Sequence, residues 1–260
     1  MKYYIVDAFT DRVFKGNPAG VCLADKELTA ETMQKIAAEN NLSETAFVMK
    51  REGYYNLRWF TPKVEINLCG HATLGSAFVI ANFVDVNAKE IRFETKSGML
   101  TVKKTGDLYE LDFPSRKPLP AKITPLMEQA IGARVLEAYV SEDLGDLLLM
   151  VENEKQVQTI SPDFDLLKQL ASHAVTVFAK GDSFDFVSRF FAPNVGVPED
   201  PVTGSSHTRL IPLWAQKLGK EKMRAAQLSK RGGLLFCENH ADRVKIAGNA
   251  VLYLQGEIFI

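Results

Sequence analysis

Two short turns carry residue types suited to binding and proton transfer. Cys69-Gly70-His71 opens one segment of helical character and Thr203-Gly204-Ser205 opens another. A helix N-terminus leaves backbone N–H groups unpaired and carries a partial positive charge. It is therefore a ready anion site. If the two turns face one cleft, the N–H groups at Gly70–His71 and Gly204–Ser205 would grip a small carboxylate from both sides. His71 adds a titratable ring, suited to a substrate contact or a proton relay. Asp200 stands before Pro201 as a turn initiator, and Ser205 is suited to N-capping while still presenting its N–H. Glu44 follows Ser43 and precedes the apolar run Ala46-Phe47-Val48. It is either a surface glutamate at a strand start or a carboxyl placed for acid/base work.

The elements that must position these residues come in two sets. Arg58-Trp59-Phe60-Thr61-Pro62 recurs 131 residues later as Arg189-Phe190-Phe191-Ala192-Pro193. Each copy leads through a loop to one of the small-residue turns, and each turn leads to a helix: His71–Phe83 in the first half, Ser205–Leu218 in the second. Strand, proline turn, loop, small-residue turn and helix in the same order twice is the mark of a duplicated unit. The first of these helices is apolar nearly all round, so it should be buried at the centre of its half. The second contains Pro212, which should kink it.

Elsewhere the texture is of short strands with few helices. Tyr3–Phe9 and Ala19–Ala24 read as strands around the turn Gly16-Asn17-Pro18. Thr29–Glu39 reads as a helix capped by Thr29, with Met33, Ile36 and Ala37 on one stripe. Ile91–Glu94, Leu100–Val102 and Tyr109–Phe113 read as a meander. Leu126–Ile131 and Phe164–Ala171 suggest helices; Ala138–Val140, Asp146–Val151, Val175–Ala179 and the terminal Val251–Ile260 suggest strands. Strands follow one another without intervening helices, which argues for α+β over a doubly wound sheet. Three prolines in Pro114-Ser115-Arg116-Lys117-Pro118-Leu119-Pro120 place the boundary between halves 1–116 and 117–260, with the final strand free to pair with either.

The composition is that of an ordinary globular chain: 260 residues, 46% hydrophobic and 24% charged. With 31 basic and 32 acidic side chains the net charge is −1. Nothing there favours a nucleic-acid partner, and no apolar run is long enough for a membrane helix. Three widely spaced cysteines, Cys22, Cys69 and Cys237, form neither a disulfide framework nor a zinc pattern. They are expected in a reducing, cytoplasmic compartment.

Four motifs carry a family resemblance: Gly16-Asn17-Pro18, the Leu42–Val48 stretch with Ser43-Glu44-Thr45, Cys69-Gly70-His71-Ala72-Thr73-Leu74, and Glu199-Asp200-Pro201-Val202-Thr203-Gly204-Ser205-Ser206-His207. In order and over nearly the whole chain they resemble the PhzF-like phenazine-biosynthesis isomerases. The resemblance implies a diaminopimelate-epimerase-like fold, with two pseudo-symmetric halves, each a curled, mostly antiparallel sheet around a central helix. It implies Glu44 as general acid/base, with His71 and Asp200 as further catalytic positions and Gly70, Gly204 and Ser205 as substrate-binding positions. It implies no cofactor and no metal, a homodimer, and a proton shift between carbons of a small carboxylic acid. The member that names the family isomerises dihydro-hydroxyanthranilate in this way.

The same fold hosts epimerases that use one cysteine from each half. Here Cys69 holds the first position and Thr203 the second, and a threonine hydroxyl is a far poorer base than a thiol. That favours a Glu44-dependent isomerase. Its rivals are a degenerate one-thiol epimerase using Cys69 and a non-catalytic metabolite-binding protein.

Overall fold

The computed structural model describes every residue of the chain except 143, 144, 171 and 172. It divides into two compact units, Met1–Asp112 with Ile246–Ile260, and Phe113–Lys245. The division falls four residues before the expected end of the first half at 116, at the edge of the proline cluster, and the terminal segment belongs to the first unit. The reason is pairing: the last strand hydrogen-bonds to the first along its length, with Lys2 opposite Glu257 and Ala8 opposite Ala250.

The first unit runs β1 (Lys2–Ala8), β2 (Asn17–Ala24), α1 (Ala30–Asn40), β3 (Glu44–Lys50), β4 (Tyr55–Phe60), β5 (Glu65–Ile66), α2 (Gly70–Val79), β6 (Glu90–Thr95), β7 (Gly98–Thr105) and β8 (Leu108–Pro114). Most neighbours are antiparallel; β2–β3 and β4–β6 are parallel. Thr29 caps α1 as expected, its side chain accepting from the Thr32 N–H. Central α2 packs against β1, β2 and β3. Of its residues only Gly70 and Phe78 escape full burial, which suits a helix with no polar face. The expected helix to Phe83 is interrupted: α-helical geometry stops at Val79 and a π-helical turn, Ile80–Val84, follows.

The second unit contains β9 (Leu119–Ala121), α3 (Pro125–Ile131), β10 (Glu137–Val140), β11 (Leu147–Met150), α4 (Glu154–Thr159), α5 (Phe164–Gln169), β12 (Val175–Lys180), β13 (Phe186–Ala192), β14 (Val197–Asp200), α6 (Gly204–Leu218), β15 (Lys222–Gln227), β16 (Gly233–His240) and the start of β17 (Arg243–Gly248), whose last residues, with β18 (Ala250–Glu257), belong to the first unit. The expected end of α5 at Ala171 lies outside the described residues. α4 was not foreseen; its sequence is polar apart from Val157. α6 runs unbroken through Pro212.

The duplication is visible strand by strand. β10–β11 repeats the antiparallel β1–β2 pair, and β11–β12 the parallel β2–β3 pair. β12–β13 repeats β3–β4, and β13–β15 repeats the parallel β4–β6 pair. It extends to side chains. Arg58 grips Glu65 through Nε and Nη2 at 2.7 and 2.9 Å, and Arg189 grips Glu199 through the same atoms at 2.7 and 3.1 Å. Each guanidinium also lies over the phenylalanine two positions on, Phe60 or Phe191.

Candidate active site

Glu44 begins β3, and the strand's alternation decides where its side chain goes. Arg58 faces Phe47 across β3–β4, and Arg189 faces Val177 across β12–β13. Counting back three residues makes Ala174 the counterpart of Glu44. The carboxyl is thus an addition to the repeat, present in one copy only.

His71 lies in the first turn of α2, after the N-cap Cys69 and Gly70. Its Nε2 is 3.0 Å from Glu44 Oε2, with the side chains 6% and 17% exposed. The two interact as charges, although the contact lacks hydrogen-bond alignment at Oε2. On the other edge of the ring, Nδ1 lies 3.2 Å from Asn17 Nδ2 and 3.6 Å from Cys69 Sγ. Burial alone would depress the His71 pKa; the Cys69 sulfur and the Glu44 carboxylate outweigh it and hold the pKa well above the ordinary imidazole value. Cys69 is itself buried, which pushes its thiol pKa up despite the histidine beside it. Asn17 serves both forms of His71, since its amide can offer Nδ2–H to neutral Nδ1 or Oδ1 to Nδ1–H.

Ligand atoms of Glu44, Cys69 and His71 all lie within 4.8 Å of one another, close enough for one ion to reach them. The three also suffice as an acid/base cluster.

Asn17 is the residue that sequence reasoning undervalued. It reads as a turn former, yet it is fully buried at the start of β2. The signal was its neighbour. Gly16 has φ +64°, and a Cβ there would stand 2.2 Å from the Ala8 carbonyl oxygen. Only glycine fits that turn, which delivers Asn17 to the ring of His71.

In the second unit, Thr203 is the N-cap of α6, and Gly204 and Ser205 form the first turn. Ser205 is therefore not the cap, and it is exposed. Its carbonyl accepts from Thr208 Oγ1 at 2.7 Å and Arg209 Nη1 at 3.2 Å. Arg209 is buried and pairs with buried Asp146 at 3.3 Å. Neither helix start, at Cys69 or Thr203, has a side-chain capping bond or an acidic residue in its first turn.

Asp200 ends β14 and does more than start a turn. Thr203 Oγ1 donates to Asp200 Oδ2 and accepts from Gln227 Nε2 at 3.1 Å. Gln227, fully buried on β15, also donates to the Asp200 carbonyl at 2.7 Å and accepts from the Thr203 N–H at 2.9 Å. The hydroxyl in the place of a second catalytic thiol has its proton committed to Asp200. Nothing in the local sequence marks Gln227, because its partners are more than twenty positions away. His207 donates Nδ1–H to the Thr203 carbonyl at 2.8 Å, and burial lowers its pKa to about 4. It is a neutral structural residue.

The repeated units have the diaminopimelate-epimerase-like fold. The hydroxyproline epimerase of Agrobacterium vitis shares the fold, with a TM-score of 0.61 at 10% identity over 98% of this chain and 91% of that one. Two comparisons reach further. A PhzF-family phenazine biosynthesis protein of Enterococcus faecalis superposes with a TM-score of 0.97 at 48% identity, over 100% of this chain and 99% of that one. A protein of Pseudomonas aeruginosa named as an uncharacterized isomerase is 48% identical over 255 residues, 98% of this chain and 97% of its own. Residues 6–256 match the phenazine biosynthesis-like protein family, PhzC-PhzF, and the chain belongs to it.

Proposed function

We propose that this protein is a cofactor-independent isomerase of a small carboxylic acid, cyclic or amino-acid-like, with Glu44 as general acid/base. The observation that carries the reading is the pairing of partly buried Glu44 with buried His71 at the uncapped start of α2. Glu44 Oε2 faces His71, which leaves Oε1 to take a proton from a substrate carbon. The electron pair left behind delocalises toward the substrate's carboxylate or conjugated system. Backbone N–H groups at Gly70–His71 stabilise that developing charge. While on Glu44 the proton exchanges with solvent through His71; Glu44 then delivers a proton to a different carbon, so one proton leaves the substrate, one is added, and the isomerisation balances with no other reactant. The His71 imidazolium offsets the negative charge of Glu44 and relays protons with it. On family resemblance, Asp200 is proposed as a further catalytic position and Gly204 and Ser205 as substrate-binding positions. A homodimer and a cytoplasmic setting belong to the same reading; the three free cysteines support a reducing compartment.

The test is solvent exchange. Candidate acids, dihydro-hydroxyanthranilate first, are incubated in deuterated water with wild type and with Glu44→Gln. Deuterium incorporation and turnover that depend on Glu44 support the proposal; equal values in both proteins refute it. The rival readings have their own marks. Loss of activity in Cys69→Ser but not in Glu44→Gln favours the one-thiol epimerase, with chiral analysis of amino acids and hydroxyprolines as its readout. Binding that survives Glu44→Gln, with no exchange for any ligand, favours the non-catalytic metabolite-binding protein.

A further inference from the structure

The first unit holds a cavity of about 320 Å³ that shares no residue with the Glu44 cluster. Its apolar lining is Leu28, Met33, Phe47 and Leu57, and Arg58 and Lys96 stand at its polar side. Phe47 and Glu44 have opposite parity on β3, so they point to opposite faces of the sheet. The volume lies at the small end of the roughly 300–1,000 Å³ usual for ligand sites.

The duplicated unit shows what fills the corresponding place there. Arg189, the counterpart of Arg58, uses Nε and Nη2 on Glu199 and has Nη1 left over. That group donates to the carbonyls of Ile160 at 2.6 Å, Val157 at 3.2 Å and Gln158 at 3.4 Å, at the end of α4. Val157 and Ile160 pack with Val177, the residue facing Arg189 across the ladder. The β11–β12 connection that supplies them spans 151–174, whereas the β2–β3 connection spans only 25–43. The first unit has no α4; Phe47, which faces Arg58, packs beside Met33 of α1 and forms part of the cavity wall.

The other polar groups around the cavity are paired. Arg51 bonds to Glu27 and Asn56, Asn56 Nδ2 donates to Glu94 at 2.6 Å, and Lys96 bonds to Glu65. Arg58 spends Nε and Nη2 on Glu65, and among the described residues Nη1 has no acceptor. We infer that this cavity is a second ligand site. It takes a small molecule with an apolar body, lying on Leu28, Met33 and Phe47, and a carbonyl or carboxylate oxygen received by Arg58 Nη1.

The probes are octanoate and octanamide, titrated into full-length protein carrying ¹³C-methyl methionine. Met33 and Met49 line the cavity, while Met127 and Met223 lie in the other unit. Binding should shift the first two resonances in a saturable way and leave the second two unmoved. Arg58→Gln should weaken it about tenfold, as expected for loss of one charge-assisted hydrogen bond. Ala24→Leu, which fills the cavity without touching Arg58, should abolish it, and Glu44→Gln should leave it unchanged. A response to octanoate alone identifies an anionic ligand, and one to octanamide a neutral one; either supports the site. No saturable shift at Met33 and Met49 with either probe overturns it, as does equal affinity in Arg58→Gln. Neither result bears on the role of Glu44.

Discussion

Replacing Glu44 by glutamine should destabilise the first unit in a way that depends on pH with a defined sign. His71 is buried, and its pKa is raised because the charges beside it outweigh desolvation. A group whose folded pKa lies above its unfolded value stabilises the fold fully below the unfolded value, about 6.5 for histidine. That contribution is lost as pH rises through the folded value. In Glu44→Gln the carboxylate is gone and desolvation pulls the ring toward neutrality. Removing one partner of a buried ion pair costs about 3–5 kcal/mol. Glutamine keeps the volume and the ring can shed its proton, so the lower figure applies, about 3 kcal/mol near pH 6. The gap between the two proteins should narrow steadily above about pH 6.5, at up to ~1.4 kcal/mol per unit. The chain has one tryptophan in each unit, Trp59 and Trp214, both buried. Urea unfolding in a Trp214→Phe background, followed by Trp59 fluorescence, therefore reports on the correct unit. A gap that stays constant with pH, or widens as pH rises, refutes the electrostatic account.

Three further outcomes follow from the same structure. Arg189→Met should cost about 2 kcal/mol more than Arg58→Met in urea unfolding, because only Arg189 also holds backbone carbonyls. Thr203→Val should destabilise the second unit by about 2 kcal/mol by removing its hydroxyl's bonds to Asp200 and Gln227, whereas Thr203→Ser keeps both bonds and should cost under about 1 kcal/mol. Cys22, Cys69 and Cys237 are buried and their thiol pKa values are pushed up by desolvation. Iodoacetamide near neutral pH should leave all three unmodified in the native protein and label them on unfolding, as read by mass spectrometry.

The parts of the fold legible in the sequence were those whose causes are local. The Thr29 cap, the apolar stripe of α1, the mostly apolar α2 and the glycine-led helix starts each depend on residues a few positions apart. The repeat was legible because the Arg-aromatic-Phe strand recurs intact. Where long-range pairing decides, local reading failed. The last strand joins the first unit because it hydrogen-bonds β1 at the other end of the chain. α4 escaped notice because six mostly polar residues carry little periodicity, and what holds its end is Arg189, some thirty positions away. In the candidate site, the approach of Glu44 to His71 was expected only through family resemblance, since nothing local distinguishes Glu44 from a surface glutamate. Asn17 and Gln227 went unassigned because their meaning lies wholly in partners brought by the fold.

The central claim is that Glu44 moves a proton between substrate carbons. The most direct measurement is mass-spectrometric and NMR analysis of a turned-over acid in deuterated water, for wild type and Glu44→Gln side by side. The account predicts one deuteron at the receiving carbon of the product with wild type, and loss of both incorporation and turnover in the variant. Equal incorporation and turnover in the two proteins would contradict it.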